Sequence, residues 1–297
     1  MKSLRLILLM VLGVTLISVF LTIQPDRKLE NAPSIVRLGV VPDQNSEELR
    51  SRYTPLVDYL AKTSNRNVEL VIASSYSHLL QLFENREIEL ANFGGLGFVQ
   101  AHTFYSAEPL VMREIDTRFT SWFMVQAQNS TASLTGMQGK RFSFGSRLST
   151  SGHVMPRHFM KQEYQIVPER FFSRIDYSGA HDATVYKLVR DETDLIVVNP
   201  VIVKAMISDG RLASDTLRLL WETPPYPDYV WTVQSYLDDE FKTQMRNAFL
   251  ALDPMNLKDK PILDGLSSSG FLPAGSHDFN LLTNIAKQLN LLDPGPQ

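Results

Sequence analysis

Three consecutive hydroxyl residues, Ser149, Thr150 and Ser151, give the strongest chemical signal in the chain. They follow a predicted strand that ends at Phe144 and begin a predicted helix. The first N–H groups of a helix have no partners within it, and the helix dipole makes that end positive. Hydroxyl and N–H groups that converge there could hold a small oxyanion. An ordinary Ser/Thr helix cap explains the same residues, so the triplet alone leaves both interpretations open.

Polar or glycine residues follow other predicted strands in the same way. Gly94 and Gly95 would let backbone N–H groups approach a ligand closely, or simply make a tight turn. Tyr76 could supply a phenolic donor, with lobe packing as the alternative. His181 could donate a hydrogen bond to an anion, with Asp182 orienting it or accepting a ligand proton. Ligands collect at the carboxyl ends of parallel strands, so the repeated placement favours a shared binding site.

Asn199 and Asp228 complete the candidate binding residues. Asn199 follows an apolar strand, and Asp228 lies in the proline-stiffened segment 223–229. A buried carboxylate accepts a ligand that still carries a proton and repels a fully ionised dianion. Whichever of Asp182 and Asp228 faces the cleft is therefore predicted to favour phosphate, phosphite or phosphonate over selenate or sulfate.

The sequence predicts no catalytic residue, metal or cofactor. Ser151, His181 and Asp182 could be imagined as a triad, but no Gly-x-Ser-x-Gly turn is present. His153 and His158 are five residues apart and face different sides of a helix, and no His-Glu-x-x-His occurs. The chain also has no Cys, which removes thiolate ligands and lipid attachment at a Cys.

Charge excludes a nucleic-acid partner. The 297 residues include 29 Lys and Arg against 32 Asp and Glu, for a formal charge of −3, with no basic tract. The length is sufficient for about two ordinary domains.

Short apolar runs alternate with amphipathic ones, a pattern that predicts an α/β fold. Predicted strands cover residues 35–41, 68–73, 88–93, 121–128, 141–144, 174–177, 194–198, 217–222 and 229–233. The order predicts one lobe from residues 34–124 and 230–297, with a second lobe, 125–229, inserted between two crossing strands. Such crossings can act as a hinge. A single larger α/β domain is the alternative.

The first 33 residues form a separate predicted unit. Lys2 and Arg5 precede the uncharged, mostly apolar segment 6–23, and a polar tether follows. An uncleaved inner-membrane anchor fits this segment, because no small-x-small exit follows it. A cleaved signal peptide is the alternative, and both place the body in the periplasm.

Several motifs occur in the order found in one known family. They are Leu38-Gly39-Val40-Val41-Pro42, Ser75-Tyr76, Ala91-Asn92-Phe93-Gly94-Gly95, Ser149-Thr150-Ser151-Gly152, Ser178-Gly179-Ala180-His181-Asp182 and Gly270-Phe271-Leu272-Pro273. Together they resemble the periplasmic phosphate-, phosphite- and phosphonate-binding proteins of ABC importers. The resemblance covers residues 35–292 and implies a two-lobe fold like that of type II periplasmic binding proteins.

The resemblance also implies a ligand, a site and a partner. It implies a tetrahedral oxyanion bound between the lobes by Ser149, Thr150 and Ser151, with Tyr76 and His181 nearby. An ABC permease would receive the ligand, although a sensor kinase in a signalling system is an alternative partner. Segment 223–229 is most similar to the branch described as selenate-binding, whereas the neutral Asn199 does not match aminophosphonate binders.

Overall fold

The computed structural model describes residues 32–292, which form an α/β structure with two mixed sheets. Each sheet with its helices is called a lobe below. The predicted anchor or signal segment lies outside the described residues. No helix within residues 32–292 is long and apolar enough to span a bilayer.

The first lobe contains a six-stranded sheet in the order β11-β4-β10-β3-β1-β2. Its strands are β1 (Ile35–Val40), β2 (Asn67–Ile72), β3 (Leu90–Phe93), β4 (Glu108–Arg113), β10 (Val230–Val233) and β11 (Phe271–Pro273). Its helices are α1 (Ser46–Ser64), α2 (Tyr76–Glu84), α3 (Gly95–Tyr105), α8 (Asp239–Leu250), α9 (Lys260–Gly265) and α10 (Asn280–Gln288). Strands β1, β2 and β3 are parallel, so their carboxyl ends share one edge.

The second lobe contains a five-stranded sheet in the order β7-β6-β8-β5-β9. Its strands are β5 (Trp122–Gln126), β6 (Arg141–Phe144), β7 (Arg174–Tyr177), β8 (Leu195–Val198) and β9 (Leu217–Glu222). Its helices are α4 (Met155–Tyr164), α5 (Pro168–Phe171), α6 (His181–Val189) and α7 (Pro200–Ser208). In the first sheet, β10 enters from the second lobe and runs antiparallel beside β3. In the second sheet, β5 enters from the first lobe and runs antiparallel beside β8.

Strand β8 is a continuous apolar run that is buried on both faces. Leu195 and Val197 pack into a cluster on one face, and Ile196 and Val198 into a cluster on the other. All four are fully buried, because helices cover both faces of the sheet.

Two crossing segments, residues 114–121 and 223–229, join the lobes and pair with each other. Phe119 and Tyr226 exchange two backbone hydrogen bonds of 2.8 and 2.9 Å. At the start of the first crossing, Arg113 makes a buried bidentate pair with Asp116, with distances of 2.6 and 2.8 Å. The isolated bridge between Phe119 and Tyr226 ties the two crossing segments to each other between the two sheets.

The structure corrects several details of the sequence prediction. All of β5 belongs to the second sheet, so the first crossing ends before residue 122 rather than at residue 124. Strands β4 and β11 were not predicted. Asn45 caps α1, because its side chain accepts the hydrogen bond from the Glu48 N–H at 3.1 Å.

Candidate functional site

The hydroxyl triplet begins a π-helical turn, Thr150–Val154, that precedes α4: Ser149 is the N-cap, and Thr150 and Ser151 are the first two residues of the turn. Ser149 Oγ accepts a hydrogen bond from the Gly152 N–H at 2.9 Å. Thr150 Oγ1 accepts from the Leu96 N–H of the first lobe at 2.9 Å. Both hydroxyls therefore keep their own hydrogen free to donate elsewhere. Within residues 32–292, Ser151 Oγ is buried and makes no hydrogen bond of ordinary geometry.

The N-terminus of α3 faces this turn from the first lobe. The Gly95 N–H donates to Asp228 Oδ1 at 3.1 Å. A Cβ on Gly94 would lie 3.3 Å from Thr150 Oγ1 and 3.5 Å from Asp228 Oδ1, so glycine permits this close approach. The structure thus brings Gly94, Gly95, Thr150 and Asp228 together.

His181 begins α6 and presents a neutral donor. Its Nδ1 accepts a hydrogen bond from the Asn199 N–H at 3.2 Å, which places the ring proton on Nε2. Burial lowers the pKa of His181 to about 4, so the ring is uncharged at neutral pH. Nε2 is buried without a partner, and the ring approaches the hydroxyl turn at Gly152, where a Cβ would lie 3.0 Å from His181 Cε1.

Asn199 and Asp182 both accept hydrogen bonds from backbone N–H groups at helix N-termini. The Asn199 side-chain oxygen accepts from the Val201 N–H at 2.8 Å and caps α7, while its N–H orients His181. Asp182 does not orient His181. Its Oδ2 accepts from the Asn45 N–H at 2.8 Å and its Oδ1 from the Ala183 N–H at 2.7 Å.

Asp228 is the carboxylate that faces the hydroxyl turn. It is 1% exposed, and its Oδ2 makes no hydrogen bond of ordinary geometry in the described part of the chain. Burial, together with the charge of Asp116, raises the pKa of Asp228 to about 7, while the Gly95 N–H and the hydroxyls of Ser151 and Thr150 oppose the rise. Asp228 can therefore exist with or without a proton at neutral pH.

Three buried phenols surround these groups. Tyr76, at the start of α2, interacts with the side chains of Ser149 and Tyr229. Tyr226 pairs with the Ser121 hydroxyl, which also donates to the Ser151 carbonyl at 2.7 Å. Burial raises the pKa of all three phenols well above the ordinary value, so each is a neutral donor.

Asp43, Tyr226 and Tyr229 were not predicted as site residues. Asp43 follows β1, and its Oδ2 accepts from the Tyr229 hydroxyl at 3.0 Å. Its carbonyl accepts from the His181 N–H at 2.8 Å. The signal that indicated the other residues, a polar side chain after a parallel strand, applies equally to Asp43.

Two spaces adjoin the site. An open crevice of about 490 Å³ lies between the loops that carry Tyr76 and Ser146, and it includes Asp182. An enclosed cavity of about 10 Å³ shares Asp43, Asn199 and Tyr229 with the site, and Arg52 and Arg113 also line it. That volume corresponds to about one water molecule.

The family model described as the periplasmic substrate-binding protein of phosphonate ABC transporters matches residues 38–279. The chain belongs to this family. It is the periplasmic substrate-binding component of an ABC importer, which confirms the resemblance seen in the sequence and does not favour the sensor alternative.

Individual relatives of the phosphonate-binding family agree with this assignment. The probable ABC transporter phosphite binding protein PhnD1 of Prochlorococcus marinus (strain MIT 9301) is 29% identical over 269 residues, covering 87% of this chain and 91% of that one. Its structure in complex with methylphosphonate has a TM-score of 0.80 and covers 87% and 99% of the two chains. A binding protein of an ABC phosphonate transporter from Pseudomonas aeruginosa, 18% identical over 87% of this chain and 94% of that chain, shares the fold with a TM-score of 0.76.

Proposed function

We propose that the cleft binds a tetrahedral phosphorus oxyanion through Ser149, Thr150, Ser151, Tyr76 and His181, with Asp228 accepting the ligand's proton. The observation that carries the proposal is a set of three buried polar atoms that make no hydrogen bond of ordinary geometry within residues 32–292: Ser151 Oγ, His181 Nε2 and Asp228 Oδ2. The Ser151 hydroxyl still lies near enough to Asp228 to oppose the rise of its pKa. Buried polar groups are normally paired, because an unpaired one costs about 1–3 kcal/mol. An oxyanion with a proton would pair all three, since it accepts from the first two and donates to the third.

Neutral donors suit this ligand. None of the proposed contacts is Lys or Arg, and Arg113 is already paired with Asp116. Hydrogen bonds from neutral groups to an anion are strong where water is excluded. A micromolar dissociation constant needs only about −8.2 kcal/mol, which a handful of such bonds supplies.

Asp228 gives the site its preference among tetrahedral anions. A phosphonate, phosphite or phosphate monoanion offers an O–H to the carboxylate. Selenate and sulfate offer none, so the buried carboxylate must take up a proton itself or face a second bare charge. The methylphosphonate complex of PhnD1 supports the phosphorus ligand.

Calorimetry at pH 7 on the body, residues 34–297, tests the proposal with methylphosphonate, phosphite, phosphate and selenate. We expect at least one phosphorus oxyanion to bind at micromolar concentration or below, and more tightly than selenate. The control is His158→Ala, a partly exposed histidine of α4, which should leave affinity unchanged while His181→Ala weakens it at least tenfold. Tighter binding of selenate than of all three phosphorus ligands would contradict the proposal.

We further propose that the apolar segment 6–23 tethers the protein to the inner membrane, where an ABC permease receives the ligand. The support is the length and lack of charge of the segment and the two preceding cations. N-terminal sequencing of the native protein tests this. A mature N-terminus after residue 23 would show cleavage and remove the tether.

A further inference from the structure

Asp182 connects the two lobes directly. Its carboxylate lies in the first turn of α6 in the second lobe, and its Oδ2 accepts the main-chain N–H of Asn45 in the first lobe at 2.8 Å. The Asn45 side-chain amide lies 3.4 Å from the same oxygen. Asn45 is the N-cap of α1, so the carboxylate lies between the N-termini of two helices from different lobes.

A second hydrogen bond between the lobes lies one residue away. The His181 N–H donates to the Asp43 carbonyl at 2.8 Å. The loop 42–45 of the first lobe therefore contacts the first turn of α6 at two consecutive residues. His181, one of the proposed ligand donors, occupies the same turn.

We infer that Asp182 is a closure latch: a positioning residue that does not contact the ligand but holds the lobes shut over it through Asn45. The inference rests on the proposed function, in which the lobes close around an oxyanion. Asp182 is only 6% exposed, so little water competes for its oxygens in the closed state. Opening the lobes separates the carboxylate from the N-terminus of α1, and a charge-assisted hydrogen bond is lost.

The latch acts on ligand release. A contact that exists only in the closed state slows opening and leaves the encounter with the open state unchanged. A residue that merely stabilised α6 would instead change the stability of the unliganded protein, whether or not ligand binds. These two roles predict different measurements.

The first experiment compares Asp182→Ala, Asp182→Asn and Glu48→Gln by stopped-flow kinetics with methylphosphonate and by melting of the unliganded protein. Asp182→Ala is expected to raise the dissociation rate about tenfold, with the association rate nearly unchanged. The unliganded melting temperature should fall only slightly, by the loss of the Ala183 N–H partner at the start of α6. Asp182→Asn should recover part of the effect, because its amide oxygen still accepts from Asn45. Glu48 forms a half-exposed ion pair with Arg211 of the other lobe at 3.5 Å, so Glu48→Gln controls for a solvent-screened contact and should change little.

The second experiment removes the donor. Asn45 has φ of −61°, which proline adopts, so Asn45→Pro deletes the N–H at a compatible backbone angle. Asn45→Ala loses the same side chain but keeps the N–H and is the matched control. We expect Asn45→Pro to release methylphosphonate several-fold faster than Asn45→Ala.

Two results overturn the latch: unchanged dissociation rates in Asp182→Ala, or a lower melting temperature of that unliganded variant with unchanged release. Failure of the proposed function looks different. In that case the wild-type protein itself does not bind methylphosphonate, phosphite or phosphate, and the latch has no ligand to retain.

Discussion

At His181, one backbone hydrogen bond and burial determine both the charge and the direction of the side chain. The Asn199 N–H occupies Nδ1, so Nε2 carries the hydrogen and has no acceptor in the protein. A protonated ring would attract an anion more strongly, but its pKa of about 4 excludes that form at neutral pH. The site is therefore suited to recognise the ligand through hydrogen-bond geometry and not through a positive charge on His181. Among the proposed contacts, Asp228 is the group whose pKa lies near neutrality.

Proton uptake at Asp228 gives the first prediction. Its pKa is already raised to about 7, and a bound anion raises it further, so the complex holds one proton shared by carboxylate and ligand. Well above pH 7 both are ionised when free, and binding must take up that proton. The affinity for methylphosphonate should then fall by up to about tenfold per pH unit, by linkage. Calorimetry from pH 6 to pH 9 measures this slope.

The Asp228→Asn variant isolates the carboxylate, because the ligand titrates identically with both proteins. We expect weaker binding at pH 7 and a flatter profile above it. Asp215→Asn, at an exposed position of the second lobe, is the control and should keep the wild-type profile. Parallel profiles for the wild type and Asp228→Asn would show that the proton is held elsewhere.

At the scale of the element, the hydroxyl groups at the π-helical turn are of two kinds: two accept backbone hydrogen bonds and one does not. Ser149 and Thr150 both accept hydrogen bonds from backbone N–H groups, so each contributes to the structure as well as to the site. Ser151 Oγ has no such bond. Single π turns inside helices are frequent at functional sites. The turn ends just before α4, so Pro156 lies in the first turn of that helix, where its missing N–H is tolerated.

This difference predicts that substitutions of Ser151 and Ser149 change ligand affinity and protein stability to different extents. Ser151→Ala should weaken methylphosphonate binding at least tenfold and leave the melting temperature of the unliganded protein nearly unchanged. Ser149→Ala removes a cap and should also destabilise the unliganded protein by about 1 kcal/mol. Calorimetry and thermal melting of the two variants make the comparison. The prediction would be wrong if both variants lost the same unliganded stability and Ser151→Ala lost no affinity. The turn would then act only as an ordinary helix start.

The sequence predicted elements better than contacts. Strands such as β7 and β9 were predicted at their observed bounds, because apolar runs and turn residues are local signals. Strand β4 was missed, and it pairs with β10 and β11, which follow it by more than 100 residues. The role of Asp182 depends on Asn45, 137 residues earlier, and no local pattern carries that information.

At the scale of the whole molecule, both lobes and a crossing segment contribute to one buried site. Tyr76 and Gly95 come from the first lobe, Ser151 and His181 from the second, and Asp228 from the second crossing. In the proposed function, such a site is complete only when the lobes are closed, so ligand binding and closure are coupled. The space left beside the site then limits what the ligand can carry.

That space predicts selection by size and charge. The enclosed cavity of about 10 Å³ has room for about one water molecule, and it is lined by Asp43, Asn199 and Tyr229 rather than by the proposed ligand donors. If the ligand's substituent enters it, only a hydrogen or a methyl group fits closely. The guanidinium groups of Arg52 and Arg113 on its wall disfavour an ammonium group there. Phosphite and methylphosphonate should thus bind at least tenfold more tightly than 2-aminoethylphosphonate in calorimetry at pH 7. Propylphosphonate has the same chain length as 2-aminoethylphosphonate but no ammonium group, so it separates the effect of size from that of charge. If size dominates, propylphosphonate binds as poorly as 2-aminoethylphosphonate. If charge dominates, it binds more tightly. Equal affinity for methylphosphonate and 2-aminoethylphosphonate would mean that the lobes close around a larger space than the cavity provides.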